Sequence, residues 1–373
     1  MTGLERGAVN TLQKDLNCTV KCPCFNNALN NSLIKGCNVQ SVRNTFGTIS
    51  EVVAFFNSSA KRNFVLKKCL GQSLHSLCQT RWVEKHDSIL QFSTSLIKII
   101  EALDNISEWS DTMASSKAHN LSKSLTCCEF IVALHVIANI FSITSPISRL
   151  LQSKKQDKLS ATNIIKNVLS RLKAKRQESN DFFSEIFDVC RNTFEKLNIS
   201  VYLPRLCAKM SKRSNPNIND PVDYYRITIF IPFIDSIIND LTNRFSDEVI
   251  GIFDLDLFLP KVLAQAFLDK CVIANKIKNV MDKFGGFLSK DLSLSKDLIE
   301  IKLKGEIELW YEFWVNNDEI KSIEFPDTAI DTLKYCEVLL YPCITIFLKI
   351  LSTLPASTSS AERNFSSLRR LKI

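Results

Sequence analysis

The fold class is decided by a run of apolar residues at helical spacing, FFSEIFDVCRNTFEKL at residues 182–197. Its large apolar side chains recur every three or four residues, which places them along one side of an α-helix. The members of this stripe are Phe182, Phe183, Ile186, Val189, Cys190, Phe194 and Leu197. The same spacing follows Ser41, which we expect to cap a helix that ends near Asn57. The periodicity therefore predicts amphipathic helices that bury one face.

The sequence on both sides of this run also favours helices. Of the 373 residues only 9 are Gly and 10 are Pro, well below the usual joint share of about 12%, which disfavours turn-rich all-β folds. Further helices are predicted at 4–16, 26–35, 87–104 and 123–152, and at Tyr224–Phe245 with a kink at Pro232. Pro326 and Pro342 are expected at helix starts. The exceptions are a short strand at Thr19–Cys24 and a polar loop at Lys209–Val222.

Composition and missing motifs disfavour several classes of protein. The 13 cysteines follow no regular framework and no apolar leader opens the chain, so we expect an intracellular protein with reduced thiols. The longest apolar run, Cys127–Ile143, contains Glu129, His135 and Asn139 and is predicted to be a buried core helix rather than a membrane span. Nucleotide-binding glycine patterns, GxSxG and HExxH are all missing from the sequence.

A formal net charge of +8 is mild, but the basic residues are clustered. The stretch from Arg149 to Arg176 contains one acid, Asp157. Lys and Arg in such a cluster can neutralise phosphates and release counterions, which favours DNA binding. The candidate nucleic-acid-binding residues are Arg149, Lys154, Lys155, Lys158, Arg171, Lys173, Lys175 and Arg176. The alternative interpretation is a solvated helix face without a ligand.

Cysteine, histidine and glutamate supply the remaining candidates for chemistry. The segment CTVKCPC at 18–24 holds three close cysteines without a second pair or a nearby histidine, so free thiols are expected and no metal site is predicted. His75 and His86 flank Cys78 without a pattern that assigns catalytic roles. Glu362 follows serines that can cap a helix, and a role at that helix start is its default interpretation.

Three further blocks carry a recognisable pattern: CQTRWVEKHDSILQF at 78–92, YYRITIFIPFIDSIINDLTNRF at 224–245 and LYPCITIFLKILSTLPASTSSAERNFSSLRRL at 340–371. They resemble the hAT superfamily of transposases and the cellular proteins derived from them. The third block is similar to the start of that family's C-terminal dimerisation region. The resemblance implies a mainly α chain with remnants of a ribonuclease-H-like α/β core at 1–60. It also implies a large helical insertion domain at 61–335 and a truncated dimerisation region with the last core helix at 336–373.

The resemblance also assigns roles to individual residues. In that family three acids hold two divalent metal ions that activate water or a DNA 3′ hydroxyl for attack on phosphate. Glu362 matches the third acid, and Trp82 matches a tryptophan near the flipped or hairpin-forming base. The first two aspartates would lie upstream of this sequence, and neither Asp15 nor Asp87 replaces them. The implied protein is therefore catalytically inactive, with a vestigial Glu362 and no cofactor, since Mg²⁺ or Mn²⁺ is expected only in an intact family member.

The expected function is protein dimerisation through the C-terminal helices. Apolar residues recur at helical spacing in Cys336–Leu354. The candidate dimerisation residues are Leu339, Phe347, Leu348, Leu351 and Phe365. The expected partners are a second copy or other hAT-derived proteins, in the nucleus and away from membranes. Packing of the same apolar face inside the chain is the alternative to dimerisation.

Two other functions stay open at this point. One is a residual, non-specific DNA-binding module that uses the basic clusters at Arg149–Arg176 and Arg205–Arg213, and strong salt dependence would distinguish it from a salt-resistant dimer. The other is a fragment of an active DDE-type transposase whose first two aspartates lie upstream. The resemblance further predicts that Glu362 lies close to Cys24 in the folded protein.

Overall fold

The computed structural model describes residues 25–77, 82–151, 158–204, 220–245, 251–267, 269–317 and 324–354. These residues are mainly helical and contain no strand, so the prediction of a mainly α chain is confirmed for this part of the protein. The chain divides into two compact units. We call Asn26–Ser153 with Ile165–Thr242 the N-terminal unit. The C-terminal unit is the described part of Asn243–Ile373, to which Phe25 and residues 158–164 also belong.

The N-terminal unit is built from helices of very different lengths. In chain order they are α1 (Phe25–Gly36), α2 (Gln40–Asn57), α3 (Ala60–Leu70), α4 (Trp82–Ser107), α5 (Thr112–Leu125), α6 (Cys128–Leu151), α7 (Lys158–Gln177, in this unit from Ile165), α8 (Ser179–Lys196), α9 (Pro221–Tyr225) and α10 (Ile231–Arg244). A π-helical turn, Arg226–Phe230, joins α9 to α10. Helix α8 buries most of the apolar stripe at 182–197. The exceptions are Val189, which is exposed, and Leu197, which lies just after the helix.

Helix α6 is the apolar centre of the N-terminal unit. It packs against α2, α4 and α8, and its segment Phe130–Phe141 is almost wholly buried. Among the described residues it is the one helix long and apolar enough to cross a membrane, with a mean hydropathy of 1.8, but 72% of its most apolar stretch is buried inside the protein. Core helices of soluble proteins have the same length and composition. The burial agrees with the core helix predicted from Cys127–Ile143.

The predicted cap of α2 is wrong. The helix begins at Gln40, so Val39 occupies the N-cap position without a side-chain hydrogen bond. The Ser41 hydroxyl instead donates to Oε1 of Glu129 on α6 at 2.6 Å. A serine near a helix start can serve a distant acceptor as readily as its own helix end, and tertiary packing decides between the two.

The single helix predicted over 123–152 is also wrong. Helix α5 ends at Leu125 and α6 begins at Cys128, with Thr126 as the C-cap of α5. Leu125 and Cys128 are both buried, so the apolar pattern continues across the break. A pattern of burial does not by itself show where the backbone changes direction.

Pro232 is accommodated by the π-helical turn that precedes it. Proline has no N–H to donate, and in a regular helix its ring clashes with the carbonyl of the residue four positions earlier. The wider π turn at Arg226–Phe230 gives that carbonyl room, and α10 continues from Ile231 to Arg244. The long helical segment predicted at Tyr224–Phe245 is therefore present, with its irregularity next to the proline.

The C-terminal unit packs its helices around two tryptophans. Its elements are a 3₁₀ helix (Gly251–Phe258), α11 (Pro260–Ala266), α12 (Lys270–Leu292), α13 (Lys296–Val315), α14 (Ala329–Leu333) and α15 (Pro342–Thr353). Trp310 and Trp314 of α13 are buried, and the Trp310 indole donates to the carbonyl of Phe258 at 3.0 Å. Pro342 begins α15 as predicted. Pro326 does not begin a helix. The next helix, α14, begins at Ala329, and Thr328 is its N-cap.

The predicted ribonuclease-H-like remnants are not tested by the structure. The strand at Thr19–Cys24, the helix at 4–16 and the segment 355–373 lie outside the described residues. Helix α15 shares one core with α11, α12 and α13, so the predicted boundary at 336 falls inside the C-terminal unit. The family-derived domain boundaries therefore stay predictions, separate from the compact units seen here.

Candidate functional site

Large apolar side chains are exposed side by side in the turn that precedes α15. Val338, Leu339 and Leu340 are 56%, 89% and 59% exposed. Ile330 on α14 and Tyr335 just after it are exposed as well. Single exposed apolar residues are normal on a protein surface, but a consecutive group is typical of an interaction site. We call Val338–Leu340 the apolar turn.

Buried residues hold both ends of the apolar turn. The Cys336 thiol lies 3.2 Å from the Thr345 hydroxyl, and the Tyr341 ring packs edge-on against Trp310 with centroids 4.8 Å apart. The N–H of Tyr341 donates to the carbonyl of Glu337 at 2.9 Å, which closes the turn. The tip of the apolar turn is therefore exposed while both of its ends are held in place. A partner that binds the turn would not have to order a flexible segment.

A glutamate from α13 caps the helix that follows the apolar turn. The Glu306 carboxylate accepts the N–H groups of Cys343 at 3.2 Å and Ile344 at 3.0 Å, both in the first turn of α15. Burial raises the pKa of Glu306, and these two N–H groups oppose the rise. The contact satisfies donors that α15 cannot satisfy itself. It ties α15 to α13 and so fixes where the apolar turn leaves the core.

The structure separates the predicted dimerisation residues. Leu339 is exposed, whereas Phe347, Leu348 and Leu351 are buried in the core of the C-terminal unit. Phe365 lies outside the described residues. For the three buried residues, the internal packing that the sequence left as an alternative is what the structure shows. The part of this segment that remains available to a partner is the apolar turn.

The apolar spacing over Cys336–Leu354 does not correspond to one helix. Helix α15 starts only at Pro342, and Tyr341 before it has φ −126° and ψ 54°, outside the helical region. Proline disfavours the helical conformation in the residue that precedes it. The exposed and the buried apolar residues of this segment therefore belong to two different elements.

Ion pairs with other helices divide the basic cluster. Arg176 donates from Nε to Oδ1 and from its terminal nitrogen to Oδ2 of Asp235, at 2.7 and 3.2 Å. Arg149 pairs with Asp87. These two acids lie far away in sequence, so the count of one acid between Arg149 and Arg176 overstates the positive charge of the folded surface.

The remaining described members of the cluster lie on α7. Lys175 is half-buried, with its ammonium 4.2 Å above the ring of Phe182. Arg171 and Lys173 are exposed, and so is Lys166, which the sequence-based candidates omitted. The side chains of Lys154, Lys155 and Lys158 lie outside the described part of the structure.

The side chains implied by the family's catalytic centre lie outside the described structure. Trp82 is the first residue of α4, but its side chain and all of Glu362 lie outside the described part. The same holds for Cys24, so its predicted proximity to Glu362 stays a prediction. Among the residues that the structure describes, no group of three or more His, Cys, Asp or Glu could hold a metal ion.

Two buried histidines have structural contacts. His86 is fully buried, with Nε2 3.0 Å from the Thr144 hydroxyl. His135 lies between the hydroxyls of Ser93 and Thr193, at 3.5 and 3.4 Å. Burial lowers the pKa of His135 to about 4, so its ring is neutral near pH 7. The position of Cys78 relative to His75 and His86 is untested, because Cys78 lies outside the described residues.

Sequence reasoning missed two features that the structure reveals. One is Glu306, whose role depends on backbone groups that come close only in the folded unit. The other is Phe64 on α3, whose side chain is 69% exposed among lysines. A local signal for Phe64 exists, because the lysines stand three or four residues from it in the sequence.

Comparison with known proteins finds distant relatives. The chain is 24% identical over 367 residues to a human protein named 52 kDa repressor of the inhibitor of the protein kinase, a match that covers 94% of this chain and 46% of that protein. It is also 24% identical over 368 residues to the mouse protein of the same name, with the same coverage. The chain thus spans about half the length of the curated relatives it matches. No model of a known family and no solved structure gives a match.

Proposed function

We propose that this chain is a non-enzymatic protein of hAT-transposase origin that acts by self-association through the apolar turn. The observation that carries the proposal is the 89% exposure of Leu339 on a turn whose neighbours Cys336 and Tyr341 are buried. Burial of exposed apolar area against a partner is favourable, and the fixed frame lowers the entropy cost of association.

A second copy of the chain is the partner to which the proposal commits. In a two-fold dimer the same patch meets itself, so an apolar patch is automatically complementary in character. Ile330 and Tyr335 add apolar area toward the roughly 800 Å² per partner that stable interfaces bury. Asp331 and Lys334 neutralise each other at 2.7 Å, which limits like-charge repulsion between two copies.

Sequence similarity supports the wider biological role that we propose. The relatives are named as repressors, and a repressor that works by protein association in the nucleus is consistent with a non-enzymatic role. The hAT origin is supported by the three sequence blocks, of which the second forms the α9–α10 segment and the third begins with α15. We propose nuclear residence and other hAT-derived proteins as additional partners on the same basis.

We expect Leu339→Asp to convert the dimer into a monomer. Loss of a central apolar contact and burial of a carboxylate should weaken self-association by about 30-fold or more. The measurement is light scattering on a sizing column at low and at high salt, together with the thermal unfolding midpoint of the variant. Because Leu339 is 89% exposed, the variant should stay folded, with the unfolding midpoint that the wild type has at concentrations where it is monomeric.

Ile301→Asp provides the matched control. Ile301 is 68% exposed on α13 of the same unit and lies outside the apolar turn. This variant should leave the dimer intact. A monomeric wild type, or a dimer that dissociates with Ile301→Asp and persists with Leu339→Asp, would show that the proposed interface is wrong.

A second candidate function, non-specific binding of duplex DNA, is favoured by the exposed side chains of α7. Lys166 and Lys173 are seven residues apart and therefore lie on one side of the helix, with Arg171 nearby in sequence. All three are exposed, whereas Arg149 and Arg176 form ion pairs with Asp87 and Asp235. Contacts from such residues go to phosphates and carry little sequence information.

We expect the triple variant Lys166→Gln, Arg171→Gln and Lys173→Gln to bind duplex DNA more weakly and with less salt dependence. Loss of three phosphate contacts should reduce the slope of log affinity against log salt by about 2.7. The measurement is fluorescence anisotropy over a salt series. The control, Lys290→Gln with Lys302→Gln and Lys304→Gln, removes the same charge from the C-terminal unit and should keep the slope. Equal slopes for both triple variants would exclude α7 as the site.

A further inference from the structure

The outer face of α3 has an exposed aromatic ring at its centre with lysines around it. Phe64 is 69% exposed. Lys61, Lys67 and Lys68 stand three residues before it and three and four residues after it, which places them beside Phe64 on the helix surface. The whole helix, AKRNFVLKKCL at 60–70, contains no acidic residue. We call these four side chains the Phe64 face.

The inner side of α3 is fixed to the rest of the N-terminal unit. Leu66 is fully buried, and Arg62 lies 4.3 Å over the ring of Phe55. The Ser59 hydroxyl accepts the N–H of Arg62 at the helix start. Gly71 ends the helix with φ 81°, a left-handed conformation that favours glycine. The Phe64 face is thus presented on a short helix with both ends capped.

One lysine of the face already contacts an aromatic ring. The Lys61 ammonium lies 4.3 Å from the centre of the Trp109 ring, a cation–π contact that restrains it near the helix surface. Trp109 is half-buried, so part of a second aromatic ring lies next to the lysines. The surface therefore combines positive charge with flat apolar groups.

We infer that the Phe64 face binds single-stranded nucleic acid, with a base stacked on Phe64 and phosphates paired with Lys61, Lys67 and Lys68. A single strand carries flat apolar bases between anionic phosphates, which matches a phenylalanine that has lysines on both sides of it on this face. Stacking on an aromatic side chain accepts any base, because every base has a π face. This site differs from the basic side of α7 in its location, in its aromatic centre and in the strand it recognises.

Two other polyanions fit the surface less well. Duplex DNA keeps its bases stacked inside the helix and offers no base face to Phe64. Membrane-binding amphipathic helices insert a broad apolar face into the lipid. In α3 the outer face has Phe64 as its one large apolar residue, since Leu66 points into the core.

The test measures binding of a fluorescein-labelled thymidine oligonucleotide to the full chain by anisotropy. Phe64→Ala should weaken binding by about 5- to 150-fold, and Phe64→Trp should retain it, because indole also stacks on bases. Lys61→Gln with Lys67→Gln and Lys68→Gln should reduce the slope of log affinity against log salt by about 2. Met113→Ala, which changes an 84% exposed apolar residue elsewhere, should leave binding unchanged.

Competing ligands make the inference falsifiable. Unlabelled single strand should displace the probe better than a duplex of the same sequence, and vesicles of phosphatidylserine and phosphatidylcholine should not displace it. Circular dichroism and the unfolding midpoint check that each variant is folded. The inference is overturned by Phe64→Ala binding at wild-type affinity, by preference for the duplex, or by displacement with the vesicles.

Discussion

Replacing Phe347 by alanine is expected to lower the free energy of unfolding of the C-terminal unit by about 3–5 kcal/mol. Phe347 is fully buried, stacks on Phe258 with ring centroids 4.8 Å apart and meets Phe284 edge-on at 6.3 Å. Truncation removes the transfer free energy of the ring and leaves a cavity that these rigid aromatic neighbours cannot fill. Denaturant unfolding of the full chain, followed by tryptophan fluorescence, measures the change.

The same variant distinguishes a core residue from an interface residue. If Phe347 supports the fold of one chain, the loss of stability is the same at every protein concentration. Leu339→Ala, at an exposed position of the same segment, should change stability by at most about 0.5 kcal/mol at concentrations where the chain is monomeric. A Phe347→Ala chain that unfolds at the wild-type midpoint but no longer associates would return Phe347 to the dimer interface where the sequence analysis first placed it.

Helical periodicity predicted the local elements well where burial is one-sided. Helices α2 and α8 follow their apolar stripes because each rests one face on α6. The same rule failed over Cys336–Leu354, where exposed and buried apolar residues happen to keep helical spacing. The helix start predicted at Pro342 already separates the exposed from the buried residues, since a proline disfavours helix in the residue ahead of it.

The candidate sites depended on long-range contacts that no local pattern shows. Arg176 looked like a free cation in the sequence, yet Asp235 neutralises it in the fold. Glu306 looked like an ordinary surface glutamate, yet it is 3% exposed and caps a helix that begins more than thirty residues later. A stretch of sequence shows which residues are charged or apolar, and the tertiary structure decides which of them remain available to a ligand or a partner.

The second large effect is expected from Lys276→Met, which should destabilise the C-terminal unit by about 3–5 kcal/mol. Lys276 on α12 donates to Oδ1 of Asp256 at 2.6 Å, and the side chain of Asp256 is only 2% exposed. Without the ammonium, the buried carboxylate loses this charged contact and cannot recover the hydration that it gave up on folding. Denaturant unfolding of the full chain gives the change in free energy.

A double variant separates the net contribution of the ion pair to stability from the cost of leaving one of its charges buried without the other. Lys276→Met combined with Asp256→Leu replaces both charges by apolar groups, and it should recover most of the stability that Lys276→Met alone loses. Lys304→Met, which removes an exposed partner of Glu300, should cost at most about 0.5 kcal/mol. Equal losses of stability in the single and the double variant would mean that the aliphatic part of the Lys276 side chain stabilises the unit by packing. Burial of Asp256 would then not depend on the ion pair.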